Sequence, residues 1–234
     1  MARALRAAAG PGAAAVGAGV AAVASLHDRR ARARIPIVLG CRMTVLETAR
    51  LRLRQLTTED APFMRALLNE PSFIRNIGDR GVRTVEDARA YLERGPIASY
   101  EQHGFGLYLV ELKETGAPIG ICGLVKRDEL PDVDIGFAFL PAFWSKGYAF
   151  ESASAVKRYA ADTIGLRRLI AIVNPANAGS IRLLEKIGLR FDRMIRLGVD
   201  GADLKLFAAA CAPSLRRGAA RRRSRRRGCR AAER

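Results

Sequence analysis

A turn between a predicted strand and a predicted helix carries the residues best placed to do chemistry. Apolar side chains alternate from Val133 to Phe139, which predicts a strand, and Pro141 ends it because proline cannot donate a ladder hydrogen bond. The turn Lys146-Gly147-Tyr148-Ala149 then leads into a helical pattern over residues 150–162. A glycine-bearing turn at a helix N-terminus leaves backbone N–H groups unpaired and pointing outward. This arrangement predicts a site for a phosphate or pyrophosphate, and hence a phosphorylated cofactor.

The other predicted elements form an α+β fold around this turn. Two helices start at the capping signals Thr57 and Thr84, and the last helix is closed by Gly188 as a left-handed cap. The order of elements, β-α-α-β-β-β-α-β-α-β-β, indicates helices layered on a mixed sheet. The predicted strands span residues 51–55, 105–112, 118–126, 133–139, 168–173, 189–197 and 202–208, and the predicted helices span about 58–69, 84–92, 150–162 and 177–187.

The formal charge of +17 lies at the two ends of the chain and not in its centre. Residues 1–43 carry a net charge of +6 and residues 208–234 carry +9, whereas residues 44–207 carry only +2. A fold that grips nucleic acid concentrates basic charge on its own elements. We therefore expect a near-neutral domain with no specific nucleic-acid partner.

Composition divides the chain into three predicted segments. Residues 1–43, rich in Ala, Gly and Arg, cannot build a core and are expected to be disordered or to lie outside the native protein, since a natural start falls near Thr44. Pro11 and several glycines interrupt the apolar part of this segment, so no membrane span is expected. Residues 44–209 form the predicted domain. Residues 210–234 are predicted to be a disordered Arg-rich tail.

Cysteine and histidine usage points to a reducing compartment and to no metal. The four cysteines show no Cys-x-x-Cys spacing, so neither a disulfide framework nor a zinc site is predicted. His27 and His103 are the chain's two histidines, and they form no cluster that would hold a metal. A cytoplasmic protein is the expectation.

Two motifs, taken together and in this order, resemble the GCN5-related N-acetyltransferase (GNAT) family, and most closely its RimJ/RimL-like branch. The first is DIGFAFLPAFWSKGYAFE at residues 134–151, and the second is NPANAGSIRLLEKIGL at residues 174–189. The resemblance covers roughly residues 48–207. It implies a mixed, mostly antiparallel sheet flanked by helices, and transfer of an acetyl group from acetyl-CoA to a primary amine. The amine would belong to a protein N-terminus or a small molecule, and the protein would be a monomer or homodimer.

The resemblance also assigns the cofactor contacts. The pyrophosphate of acetyl-CoA would lie on the backbone amides of the turn, and the pantetheine arm would run between two splayed strands. The Phe139 amide would donate to the thioester oxygen, which becomes negative in the tetrahedral transition state. The expected cofactor-binding residues are Phe139, Trp144, Ser145, Lys146, Gly147, Tyr148, Ala149, Asn177 and Ser180.

Direct attack by an amine needs a general base, because an ammonium has no lone pair. Asp134 is the first candidate, since Gly136 and Ala138 on the same strand face leave room beside it. Glu151, in the first turn of the phosphate-binding helix, is the second. Each carboxylate has a simpler interpretation: a solvated charge for Asp134, and a group that stabilises the helix dipole for Glu151.

The sequence departs from the family pattern at two positions. Trp144 stands where relatives place Gln or Arg at the start of the phosphate turn. Leu184 stands where many relatives have a tyrosine that protonates the leaving thiolate. The second departure leaves open a non-catalytic acyl-CoA-binding regulator. The Arg-rich tails leave open a ribosome- or RNA-associated protein.

Overall fold

The computed structural model describes residues 43–197 and 201–211. Within them one eight-stranded sheet has the order β1-β2-β3-β4-β5-β6-β8-β7. Its strands are antiparallel to their neighbours except β5 and β6, so the predicted mixed, mostly antiparallel sheet is confirmed. The strands are β1 (Thr44–Glu47), β2 (Leu51–Gln55), β3 (Leu107–Leu112), β4 (Pro118–Val125), β5 (Val133–Phe139), β6 (Arg168–Val173), β7 (Arg190–Arg196) and β8 (Asp203–Ala210).

Helices cover both faces of the sheet. One face packs on α5 and α6 through a core that includes Ile135, Val156 and Leu184, and the other packs on α1 and α3 through Leu109, Met64 and Leu92. The helices are α1 (Ala61–Leu68), α2 (Pro71–Ile77), α3 (Val85–Leu92), α4 (Ala98–His103), α5 (Tyr148–Tyr159) and α6 (Ala178–Lys186). In this part of the chain, no helix has the length and hydropathy to cross a membrane.

The predicted helix ends at Thr84 and Gly188 are confirmed. Thr84 forms a capping box: its Oγ1 accepts from the Asp87 amide at 3.0 Å, while the Asp87 carboxylate accepts from the Thr84 amide at 2.8 Å. Gly188 follows α6 with a φ of 84°, a left-handed conformation that a side chain would strain.

Three elements are absent from the prediction. Helix α4 lies between the predicted helix 84–92 and the predicted strand 105–112. Strand β1 forms a hairpin with β2, although residues 44–47 are too few to show a clear alternation. Helix α2 lies between the predicted helices 58–69 and 84–92, where no element is predicted. Pro71 occupies its first turn, where the missing N–H is tolerated. The predicted tails lie outside the described residues apart from Met43, Ala210 and Cys211, so the domain boundaries stay predictions.

The parallel strands β5 and β6 separate soon after they begin to pair. Their pairing covers Val133 with Leu169 and Asp134 with Ile170, and beyond these positions no further residues of β5 and β6 pair. The carboxyl halves of both strands therefore border a gap in the sheet. The connections that follow these halves lead to the N-termini of α5 and α6, which lie at the same edge.

A buried ionic network fixes the first helix to the sheet. Arg54 on β2 donates from Nη2 to Asp60 Oδ1 at 2.7 Å and from Nε to Glu111 Oε1 on β3 at 2.8 Å. Asp60 is the cap of α1 and also accepts from the Thr57 amide at 2.8 Å. The three charged side chains are all buried, with exposures of 3%, 8% and 7%.

We predict that Arg54→Met lowers the free energy of unfolding by about 3–5 kcal/mol, because it leaves two buried carboxylates without their cation. The matched control is Arg52→Met on the same strand, because the Arg52 side chain is 43% exposed and its Nε lies 3.4 Å from Glu47 Oε1. Removing that surface pair should change the free energy by less than about 1 kcal/mol. Chemical denaturation measures both, and equal losses would contradict the role given to burial.

Candidate cofactor and catalytic site

The predicted anion-binding turn adopts a conformation that few residues tolerate. Gly147 is the residue before α5 and has a φ of 81°, and Ser145 has a φ of 60° despite its side chain. Residues 144–147 are exposed, so the backbone N–H groups that open the helix are accessible to a ligand. Lys146 Nζ lies 5.5 Å from the centre of the Phe143 ring, which keeps its charge beside the turn.

Backbone alternation along β5 directs two amides into the gap between β5 and β6. The Leu140 amide donates to Ile119 of β4 at 3.1 Å, and Ala138 and Gly136 lie opposite β4 residues in the same register. In an antiparallel pair the hydrogen-bonding groups alternate, so the amides of Phe137 and Phe139 point away from β4. They face the side from which β6 has separated.

Trp144 connects the turn to the end of β5. Its indole Nε1 donates to the Phe139 carbonyl at 2.7 Å, while 47% of the residue stays exposed. The sequence placed Trp144 and Phe139 in one site, and the structure brings them into contact. The hydrogen bond joins the strand that borders the gap to the turn that would hold the pyrophosphate.

Asn177 and Ser180 lie at the start of α6, as expected, and they first serve the helix itself. Asn177 Oδ1 accepts from the Ser180 amide at 3.1 Å, which satisfies one of the unpaired donors of the helix N-terminus. Both residues are half-buried. Because α6 follows β6, they lie at the carboxyl edge of the gap.

Asp134 is a buried carboxylate at the point where β5 and β6 separate. It is 2% exposed, and its Oδ2 accepts from Arg127 Nε at 3.0 Å. Its Oδ1 is buried and has no hydrogen-bond partner among the described residues. An unsatisfied buried carboxylate oxygen is rare in folded proteins, since it loses the hydration of a charged group. Asp134 is therefore not the solvated charge that its simpler interpretation predicted.

The electrostatics of Asp134 suit proton transfer near neutral pH. Burial raises the pKa of its carboxyl to about 6, from an ordinary value of 3.8. The charge of Arg127 and its hydrogen bond to the carboxylate oppose that rise in the pKa. The nearby Ile172 amide opposes it to a smaller extent. A carboxylate with this pKa binds a proton far more readily than an exposed aspartate does.

Asp134 and Phe139 lie at opposite ends of β5. The five residue steps from one to the other span about 16 Å at the usual rise of about 3.3 Å per residue. The Asp134 carboxylate and the Phe139 amide therefore cannot both touch one reacting carbon. The Phe137 amide lies closer, about 10 Å along the strand by the same rise.

Glu151 is fully engaged by residues of the β1–β2 hairpin. Its Oε1 accepts from Thr48 Oγ1 at 2.6 Å and from the Arg50 amide at 2.9 Å, and its Oε2 accepts from Arg50 Nε at 2.8 Å. Burial alone would raise its pKa, but these hydrogen bonds and the Arg50 charge hold the pKa below its ordinary value. This environment favours a permanently ionised, structural carboxylate.

Leu184 occupies the interior and not a catalytic surface. It is 1% exposed and packs from α6 into the core between the helices and the sheet. No hydroxyl is available at that position to protonate a leaving thiolate. In residues 43–197 and 201–211, no three His, Cys, Asp or Glu side chains are grouped in a way that could hold a metal ion.

Comparison with known proteins identifies the family. The family model described as Acetyltransferase (GNAT) domain matches residues 50–190. The chain belongs to the GNAT family. Membership makes it an acetyltransferase, and the gap in the sheet and the turn before α5 both lie within the matched residues.

Relatives and solved structures agree with this assignment. The uncharacterized N-acetyltransferase YoaA of Bacillus subtilis is 30% identical over 154 residues, which cover 65% of this chain and 86% of YoaA. The acetyltransferase from Agrobacterium tumefaciens superposes with a TM-score of 0.61 at 27% identity, covering 74% of this chain and 98% of that one. RimL, the ribosomal L7/L12 alpha-N-protein acetyltransferase in complex with coenzyme A, shares the fold at a TM-score of 0.63 and 16% identity, covering 72% and 98%.

Two arginines of this GNAT domain site were absent from the sequence-based prediction. Arg127 is the partner of Asp134, and Arg50 is the partner of Glu151. Arg50 precedes its carboxylate by 101 positions, so no local pattern could have paired them. Arg127 lies seven positions from Asp134, but in a connection whose course the sequence does not specify.

The raised pKa of Asp134 predicts that the GNAT domain is stabilised by Asp134→Asn at alkaline pH. The folded pKa of about 6 exceeds the ordinary 3.8, so ionised Asp134 destabilises the fold above pH 6. The variant should gain roughly 2–3 kcal/mol at pH 8, with the gain shrinking as the pH falls through 6 towards 4.

Thermal and denaturant unfolding at pH 5 and pH 8 measures this gain. Asp132→Asn is the control, because its carboxylate is 27% exposed and it should change stability little at either pH. A less stable Asp134→Asn at pH 8 would show that the Arg127 interaction outweighs the effect of burial.

Proposed function

We propose that this protein transfers an acetyl group from acetyl-CoA to a primary amine by direct attack, in the cytoplasm. The observation that carries the proposal is the gap between β5 and β6. It is bordered by two outward-facing amides and begins beside a buried, incompletely bonded carboxylate. The gap and the glycine turn at the same edge of the sheet are suited to a pantetheine arm and its pyrophosphate.

Backbone amide groups would make most of the contacts with the cofactor. The pyrophosphate would accept hydrogen bonds from amides of residues 145–149, where the dipole of α5 favours negative charge. The Trp144 amide, also expected to bind it, already donates to the Pro141 carbonyl at 3.1 Å. The pantetheine amides would form hydrogen bonds with the free edge of β5, in the place where β6 has separated from it. The Phe139 amide, or the Phe137 amide deeper in the gap, would stabilise the oxygen of the tetrahedral intermediate.

Asp134 would take the proton of the attacking amine through water. The Asp134 carboxylate is about 10–16 Å along β5 from the amides that would hold the thioester, too far to touch an amine attacking there. One or more ordered waters can relay the proton over this distance. Oδ1 is the oxygen free to accept it, because Oδ2 is bound to Arg127. The released thiolate needs no dedicated acid, since a thiol is acidic enough to leave unaided.

Calorimetric titration of the full chain with coenzyme A tests the cofactor site. Gly147→Trp should abolish binding, because a side chain at 147 both strains the left-handed backbone and covers the amides. Gly165→Trp is the matched control: Gly165 has a φ of 78°, and an added Cβ there meets no atom within 4 Å. The control should share the backbone strain and keep cofactor affinity.

A second measurement tests Asp134 as the base. In a thiol-release assay with a panel of primary amines, kcat/KM should rise with pH and level off above pH 6, because the base acts only when ionised. Asp134→Asn should lower kcat by about 10²–10⁴-fold while leaving coenzyme A affinity unchanged. A variant that keeps wild-type turnover would reassign the base.

Leu184 gives a reason to keep the non-catalytic acyl-CoA-binding regulator as a second candidate, because the interior position lacks the family's acid. Coenzyme A binding without turnover of any amine in the panel would favour it. The RNA-associated alternative depends on arginines outside the described residues. Salt-sensitive RNA binding that survives removal of residues 213–234 would show that this tail is not its cause.

A further inference from the structure

Arg50 reaches from the β1–β2 hairpin to the anion-binding turn. Its Nη1 donates to the Lys146 carbonyl at 3.1 Å, and its Nε donates to Glu151 Oε2 at 2.8 Å. Its guanidinium carbon lies 4.5 Å from the centre of the Tyr148 ring, a cation–π distance. One side chain thus holds three residues on both sides of Gly147.

The bond from Arg50 to the Lys146 carbonyl determines where the next amide points. A trans peptide is planar, with its C=O and N–H directed oppositely. The Lys146 carbonyl is turned towards Arg50, so the Gly147 N–H is turned away from it, to the exposed side of the turn. The guanidinium also packs against Gly147 itself, since a Cβ added there would lie 3.3 Å from Arg50 Nη2.

Glu151 and Thr48 hold the arginine in this position. Glu151 accepts from the Arg50 amide and side chain and from Thr48 Oγ1, and its side chain is only 18% exposed. The Arg50 side chain is 49% exposed, and its charge is compensated by Glu151. Arg50 therefore acts mainly by fixing the backbone of the turn, and contributes little uncompensated positive charge to it.

We propose that Arg50 and Glu151 form a clamp that holds the Lys146–Gly147 peptide in the orientation that binds the cofactor's pyrophosphate. Both act as positioning residues, and Glu151 has this role in place of that of a base. The inference rests on the proposed function, because it assigns the pyrophosphate of coenzyme A to this turn.

Replacing Arg50 by lysine tests whether the hydrogen-bond geometry of the side chain matters or only its positive charge. A guanidinium is a planar fork that can donate to the Lys146 carbonyl and to Glu151 at once, whereas an ammonium is a compact point charge. Arg50→Lys keeps the charge and loses the fork. If the clamp holds the peptide, this substitution should impair binding nearly as much as Arg50→Met.

The test is calorimetric titration of full-length variants with coenzyme A, alongside their thermal unfolding. We expect Arg50→Met and Arg50→Lys each to weaken binding by about tenfold or more, the scale of a lost charge-assisted hydrogen bond. Glu151→Gln should weaken it less, and the double variant Arg50→Met/Glu151→Gln should bind no worse than Arg50→Met alone, because the two side chains act together. Arg52→Met, which removes an exposed arginine two positions away, should bind like the wild type.

Two results would overturn the clamp: wild-type affinity in Arg50→Lys, which would make charge sufficient, or additive losses in the double variant. The amide resonance of Gly147 provides a readout that needs no cofactor, and it should shift in ligand-free Arg50→Lys and not in Arg52→Met. An unshifted resonance would also overturn the clamp. A folded wild type that binds no coenzyme A would instead remove the proposed function, and the Gly147 resonance would still decide the clamp.

Discussion

The site depends on the early separation of the parallel strands β5 and β6. Antiparallel partners hold each strand on its other side, so the two can diverge after Asp134 and Ile170 without unravelling the sheet. The separation leaves backbone donors and acceptors of β5 without a strand partner, which a folded protein tolerates only where water or a ligand can satisfy them. The pantetheine arm of the proposed cofactor would meet that need, since it can pair like a peptide strand, and the helices that follow the two strands bring their N-termini to the same edge.

The same separation gives Asp134 its chemistry. On a fully paired inner strand, a buried carboxylate would have no access to solvent or ligand. Asp134 lies at the start of the gap, where the buried interior meets accessible space. Burial with a single arginine partner leaves one oxygen unsatisfied and the pKa near 6. Under the proposed function, this destabilising group lies where a proton acceptor is needed, which is the usual relation between stability and activity at a functional site.

Local patterns were sufficient to predict much of this molecule, and they were insufficient where partners are distant in sequence. Alternation along residues 133–139, the glycine at 147 and the cap at 188 each reflect a backbone requirement that a few neighbouring residues reveal. Burial of Asp134 follows from the elements packed around it, and the pairing of Arg50 with Glu151 follows from the way β1 and β2 approach α5. The short strand β1 and helix α2 depend on tertiary contacts more than on propensity, so their sequences gave no clear signal.

Binding through backbone amides, as proposed, would allow the turn to depart from the family pattern in its side chains and still hold the cofactor. The amide groups of residues 145–149 are present whatever the side chains are, so Trp144 would be tolerated in place of the Gln or Arg of the family pattern, provided that the backbone keeps its shape. Side chains then contribute by holding that shape: the Trp144 indole fixes the Phe139 carbonyl, and Arg50 fixes the Lys146 carbonyl. In such a site, some residues that matter for binding do not touch the ligand but hold the backbone that does. Arg50 lies on the β1–β2 hairpin, which a search for ligand contacts alone would not consider.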